Sequence, residues 1–520
     1  MSLIRKFSTV ASGTFISRLF GFAREMLMAA ALGTGPVADA FNAAFRFPNT
    51  FRRLFAEGAF SAAFVPLFSK YIAQGGHEEA RRFAQEVFGV LFSVLIMLTL
   101  LMEFSMPFLV STIIAPGFYN DAEKYAATIR FSTIMFPYLA CMSLAAMMAG
   151  MLNSLHHYFA AAIAPVFLNI ILIAVLAYTW IYGLNPWHVG LGLSWGVMAA
   201  GFIQLLIVWA AVARLGMPIG FRRPRLSPSV KRLLWLALPA AITGGVTQIN
   251  LLINTNIASA KAGAVSSLAY ADRLYQLPLG VVGIAVATVL LPELTSALRN
   301  HEITQAHRIQ NRAIEFTLFL TLPAAAAFLV MATPLVQLLF ERGHFTSQST
   351  QIVAHLLAIY GLGLPAFVLI KAFIPNFFAR EDTKTPLVFA IISMIANVSI
   401  ALSLFPYFSA AGIVIAEVSA GWLNALLLFM TLVKRGHFSH ERAFFFRFIK
   451  LLVSTILMAV ALHYSLRFLA TPLSPQAPLL QRALTISSLI IGAMIVYFSA
   501  SLFLGVSSIA LLKRSLTRHK

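Results

Sequence analysis

The sequence predicts an all-α polytopic membrane protein, and three observations carry that prediction. Of its 520 residues, 59% are hydrophobic and only 11% charged, whereas a soluble domain carries roughly a quarter of its residues as charges. Apolar runs recur from one end of the chain to the other, each long enough to cross a hydrocarbon core of about 30 Å. Those runs are continuously apolar and show no period-two alternation. Backbone groups must be paired inside lipid, so the runs are helices rather than barrel strands.

About fourteen spans follow, over residues 8–32, 38–66, 85–113, 125–152, 159–182, 189–213, 231–259, 266–297, 313–332, 351–377, 385–405, 409–433, 446–470 and 484–512. The formal charge of +20 would suit a nucleic-acid binder, but its placement argues against that partner. Every second loop is basic, with Lys70, Arg81, Arg82, Arg222, Arg223, Arg225, Arg299, Arg380, Lys384, Lys434 and Arg435 among the residues concerned. The alternate loops hold little beyond Lys124, Lys261 and Arg342. Basic loops stay cytoplasmic, which puts both termini inside and agrees with an even number of spans. Arg5 and Lys6 could begin a signal peptide, but Arg18, Arg24 and Glu25 interrupt the apolar stretch that follows and no small-residue cleavage site appears. The segment therefore reads as the first membrane helix. The single cysteine, Cys141, excludes an internal disulfide framework and reads as a small buried hydrophobe.

The chain also repeats itself. Pro107, Gly117 and Pro137 match Pro334, Gly343 and Pro365; Asn153 and Pro165 match Asn376 and Pro386; Phe47-Pro48 matches Leu277-Pro278. Six spans separate equivalent points, so the halves share one orientation and form parallel repeats, which place a substrate site between two lobes. The expected organisation is an N-terminal lobe over 1–220, a C-terminal lobe over 221–440, and two further helices over 441–520 that offer a groove to a lipid tail. No phosphate-binding loop of the GxxxxGK[ST] type occurs. His156, His157, His437 and His440 lack partners at metal-ligand spacing and read as solvated. No catalytic constellation stands out, so a transporter is expected rather than an enzyme, with no cofactor.

Charges at membrane depth are costly and mark function by default. The first span carries Arg18, Arg24 and Glu25, and the second carries Asp39, Asn42, Arg46, Asn49, Arg52, Arg53 and Glu57. Spacings of three and four place Asp39, Asn42, Arg46, Asn49, Arg53 and Glu57 on one helical stripe, loosened at Pro48. The second half adds Asp272, Arg273 and Lys371. In one reading these are salt bridges that lock helices together, Arg18 or Arg24 with Asp39 or Glu57. In the other, the excess of arginine over carboxylate lines a cavity that awaits an anion. Unneutralised charge has no structural use in a low dielectric, and guanidinium suits bidentate phosphate capture, so the second reading is preferred.

At these residues the chain resembles the MurJ (MviN) family of lipid II flippases. The motifs are Ser17-Arg18-Leu19-Phe20-Gly21-Phe22-Ala23-Arg24-Glu25, Ala38-Asp39-Ala40-Phe41, Phe47-Pro48-Asn49, Arg52-Arg53-Leu54-Phe55-Ala56-Glu57-Gly58-Ala59-Phe60, Ala115-Pro116-Gly117-Phe118 and Tyr270-Ala271-Asp272-Arg273-Leu274. The resemblance runs through essentially the whole chain. It implies a fourteen-helix member of the multidrug/oligosaccharidyl-lipid/polysaccharide exporter group, two six-helix lobes plus two helices. The implied substrate is lipid II, an undecaprenyl-diphosphate glycolipid moved outward across a bacterial inner membrane by alternating access for peptidoglycan synthesis. Arg18, Arg24, Arg52, Arg53 and Arg273, with Asn49, would bind it; Glu25, Asp39, Glu57 and Asp272 would pair with arginines or gate the cavity. Many relatives have Asp where this chain has Glu25. Coupling to Na+, H+ or the membrane potential is open, with Asn250, Asn254, Asn397 and Glu417 as polar candidates for a sodium ion. Membrane lipids and the cell-wall synthesis machinery are the expected partners. Two other classes compete: an ion-coupled exporter of small amphipathic compounds, which would want an acidic cavity, and a non-transporting scaffold, which would tolerate loss of the arginines.

Overall fold

The computed structural model describes residues 3–54, 60–438 and 442–506, with side chains described from residue 17 onward except at 240, 243, 284, 285, 287–289, 442 and 443. Every regular element among them is helical. In chain order these are α1 (Leu3–Leu32), α2 (Pro36–Phe51), α3 (Ser61–Phe104), α4 (Met106–Leu109), α5 (Ala122–Met135), α6 (Tyr138–Ser154), α7 (Phe159–Ile181) and α8 (Pro186–Arg214). They continue with α9 (Pro228–Ala258), α10 (Ala264–Arg299), α11 (Ile303–Phe340), α12 (Ser347–Phe378), α13 (Lys384–Phe408), α14 (Ala410–Lys434), α15 (Arg442–Phe468) and α16 (Leu479–Phe503).

Ten of these helices or helix pairs are long and apolar enough to span a bilayer, or eleven if the bent α9 is one span, counted over the described residues. The protein is thus a multi-pass membrane protein, while the figure of fourteen is not what length and apolarity return. Two of the shortfalls have plain causes. Arg18, Arg24 and Glu25 break the apolar stretch of α1, and α2 ends after 16 residues. The predicted single span over 38–66 begins as α2, widens into a π-helical turn at residues 52–54 and is helical again from Phe60 into α3, with 55–59 outside the described residues. Pro48 lies inside α2 and cannot donate to the ladder. The run labelled α3 itself breaks at Gly76, whose φ of +69° is open to glycine at no steric cost.

Residues 1–266 and 342–345 form one compact unit, and 267–341 with 346–520 form another. In the first unit, α7 packs on α1 and α8, α6 on α3 and α8, α5 on α2, and α9 on α2 and α3. Side-chain caps set several helix starts: Asp121 accepts from the amide of Lys124 at α5, Asn185 from that of His188 at α8 and Ser227 from that of Val230 at α9. Helix α9 turns by 60° between Pro228–Pro239 and Gly244–Ala258, where Pro239 and the Gly244-Gly245 pair weaken the ladder.

In the second unit, α12 packs on α11 and α14, and α13 on α14. Helices α15 and α16 pack on each other and on α11. Their inner faces join a core that includes Phe319, Phe373, Leu428, Leu451, Met458 and Tyr497. The Tyr497 hydroxyl donates to the Phe319 carbonyl at 2.8 Å, and Arg447 pairs with Glu315 at 2.7 Å. An apolar face with two polar ties thus holds both helices to α11. Their outer faces, with Phe445, Phe446, Ile456, Leu457, Val460 and Tyr464, stay exposed.

Candidate functional site

The polar residues of the first unit gather into two buried nodes and one half-buried strip. The first node is built on α1 and α7. Arg24 is 8% exposed and Glu25 5%, and the two adjacent side chains form an ion pair. Arg24 Nη1 also donates to Asn169 Oδ1 at 3.0 Å, and Asn169 Nδ2 in turn donates to the Ser17 carbonyl at 3.0 Å. Asn169 therefore holds the guanidinium from the side and ties it to α1 itself. Two of the five guanidinium donors are thus committed, while Arg24 Nε is buried with no hydrogen-bond partner among the described residues. A buried donor left open costs about 1–3 kcal/mol. A ligand oxygen that reached it would recover that cost.

The second node joins α2, α5 and the start of α10. Asp39 is fully buried and Lys124 is 5% exposed, with Lys124 Nζ 3.0 Å from Asp39 Oδ2. The same oxygen accepts the Gly263 amide at 2.7 Å, and Oδ1 accepts the Ser266 amide at 2.9 Å and the Ser266 hydroxyl at 2.8 Å. Asp39 thus satisfies the free amides at the start of α10 from another helix. The Lys124 ammonium also sits 4.3 Å from the centre of the Phe118 ring.

The strip runs along the rest of α2. Arg46 Nη1 donates to Thr255 Oγ1 of α9 at 2.9 Å, and Arg52 Nε donates to Asn49 Oδ1 at 3.0 Å. Asn42 bonds back to the Ala38 carbonyl. Arg52 and Arg53 are half-buried, and Arg18 is exposed on α1. Glu57 lies outside the described residues. In the second unit, Asp272 and Arg273 are half-buried on α10, and Asp272 Oδ2 accepts from Gln276 Nε2 at 2.5 Å. Tyr275 stacks on Tyr360 with centroids 4.4 Å apart, and the Tyr360 hydroxyl donates to Glu417 Oε2 at 2.8 Å. Among the described residues, no three His, Cys, Asp or Glu side chains converge as a metal site.

Several of these partners were not legible in the sequence. Asp39 pairs with Lys124, a residue read as belonging to a loop, rather than with Arg18 or Arg24. Along the α2 stripe the regular α-helix gives way at residues 52–54 to a wider, π-helical turn that carries Arg53. Asn169 carried one faint signal, an amide alone in the apolar run of α7.

The sequence profile of the lipid II flippase MurJ family matches residues 28–512. The chain belongs to that family. A MurJ relative from Rhizobium meliloti (strain 1021), named a probable lipid II flippase, is 67% identical over 518 residues, covering 100% of this chain and 97% of its own. The lipid II flippase MurJ of Burkholderia cenocepacia is 35% identical over 469 residues, covering 89% and 90%. Among solved structures, a lipid II flippase MurJ in an inward-closed conformation superposes with a TM-score of 0.79 at 25% identity, over 98% of this chain and 99% of that one. An inward-facing multidrug-resistance MATE transporter reaches 0.64 at 16% identity over 81% and 94%. That second likeness concerns the fold alone.

Proposed function

We propose that this MurJ-family member carries lipid II from the cytoplasmic to the outer leaflet of a bacterial inner membrane, for peptidoglycan synthesis. It works by alternating access as a transporter, with both termini in the cytoplasm. One observation supports the anion site most directly: Arg24 is buried, held by Glu25 and Asn169, and still has an open Nε donor. In this reading the diphosphate takes up that donor, and Arg18, Arg52, Arg53, Arg273 and Asn49 supply further donors as the head group is enclosed. Glu25 and Asp272 keep neighbouring donors oriented, while Asp39 and Glu57 bear on gating.

The isoprenoid tail stays in lipid and follows the exposed outer faces of α15 and α16. The lobes that rock are the repeat halves over 1–220 and 221–440. An inside-negative potential favours outward movement of an anion by about 2.3 kcal/mol per charge per 100 mV. Coupling to Na+ or H+ through Glu417, Asn397, Asn250 or Asn254 would add to that drive.

Complementation of a depletion strain tests the proposal. Arg24→Ala and Arg273→Ala should fail to restore growth while reaching normal membrane abundance. Growth with either variant would overturn the anion site.

A further inference from the structure

Glycines at equivalent places in the two repeats bring backbone against backbone at the end of the first unit where α1 and α9 stop. Gly343 has a φ of +55°, and a Cβ built on it would lie 2.3 Å from the Ala30 carbonyl oxygen of α1. The next amide, His344 N, donates to that same carbonyl at 2.9 Å. Gly33, also at positive φ, faces the His344 carbonyl so closely that its Cβ would stand 2.2 Å away. The segment 342–345 thus satisfies a carbonyl that the end of α1 leaves open.

Gly117 does the same at α9. A Cβ there would lie 2.5 Å from the Ala260 backbone, and its amide donates to Ser259 Oγ at 3.0 Å. Asn256 of α9 completes this contact by donating to the Thr112 and Ile113 carbonyls at 3.1 and 2.9 Å. Helices α1 and α9 open the two repeats, and Gly117 and Gly343 hold matching positions within them. Each repeat's glycine loop therefore sits on the end of the other repeat's first helix.

We propose that these two reciprocal glycine clasps hold this end of the protein shut, and that outward opening requires both to part. The direction "outward" rests on the transport reading above. Backbone-to-backbone closure suits a joint made and broken every cycle, since few side chains must repack. A methyl group at either glycine would hold the joint ajar, because the atoms it meets are main chain and cannot swing aside. Gly216 supplies the control: its φ is +74°, like that of Gly343, yet nothing lies within 4 Å of its Cβ position. Strain alone is common to both substitutions; only the clasp residue loses the contact.

The test uses purified full-length protein in lipid nanodiscs, with Cys141→Ala removing the native thiol and Ala38→Cys as a fully buried reporter on α2. Labelling by a water-soluble maleimide should rise about tenfold in Gly343→Ala and in Gly117→Ala, as a minor open state becomes prominent. It should not change in Gly216→Ala. Asn256→Ala removes two hydrogen bonds with no steric insult and should raise labelling in the same direction, which keeps the test decisive if Gly117→Ala is not recovered from membranes. Labelling of Gly343→Ala and Asn256→Ala at the Gly216→Ala rate would overturn the clasp. The readout needs no substrate, so a failure here leaves the lipid II reading untouched, and a failure of that reading leaves the clasp standing.

Discussion

The two buried nodes of the first unit treat their charges in opposite ways. Asp39 receives a lysine, two backbone amides and a hydroxyl, so both carboxylate oxygens are fully used. Arg24 receives one carboxylate and one amide oxygen, and its buried Nε is left open. A satisfied buried ion holds elements together; an under-satisfied one is held ready for something else. On the proposed function, the contrast sets a charge that ties helices together against one that would meet the diphosphate, at similar depth and within one unit.

Breaking the Asp39 node should have the largest effect on stability. Asp39→Ala strands Lys124 in a buried site, and removing one partner of such a pair costs about 3–5 kcal/mol. Thermal unfolding of the purified protein should show that loss. The double variant Asp39→Asn with Lys124→Met should recover much of it, since replacing both members of a buried pair is often near neutral. If the double variant is as unstable as Asp39→Ala, the amide contacts to α10 rather than the ion pair carry the node.

The Arg24 node should respond the other way round, with function lost first. Asn169→Ala frees the guanidinium and removes one charge-assisted hydrogen bond, costing about 1.5–3 kcal/mol. Transport should fall more steeply than that loss of stability accounts for, because the open donor is no longer aimed. Comparing melting temperature with in-vitro flipping for this one variant would show it.

How much of this the sequence disclosed depends on the range of the contact. The fold class, the family and the polar load of α1 and α2 are local in the chain and were readable. The repeat even paired Gly117 with Gly343. The partners were not readable, because Asn169 lies 145 residues from Arg24, and Ser266 lies 227 residues from Asp39. Spacing alone also gave no sign that the backbone widens into a π-helical turn at residues 52–54. Lys124 looked like a loop charge because it follows Asp121, which caps α5; only packing shows that its ammonium turns inward.

A weaker ion pair in the second unit marks the low end of the scale. Asp382, in the turn after α12, is raised by partial burial, but hydrogen bonds from Arg435 and Thr385 and the Arg435 charge outweigh that and hold it at about 2, below its usual 3.8. A carboxyl depressed in the folded state contributes stability above its unfolded value and loses it as pH falls through the folded one. The contribution should therefore be full at neutral pH and fade between about pH 4 and pH 2. Asp382→Asn should abolish that acid limb by lowering stability at pH 7 towards the level both proteins share near pH 2, a modest loss because the pair is partly exposed.

The most direct test of the contrast is flipping of lipid II by purified Arg24→Ala protein in proteoliposomes, read as precursor reaching the opposite leaflet, with thermal unfolding measured on the same preparation. The account predicts flipping reduced to background in protein that still folds, with the unfolding temperature lowered by no more than the stranding of the buried Glu25 accounts for. Normal flipping, or a loss of activity that merely tracks a loss of stability, would contradict it.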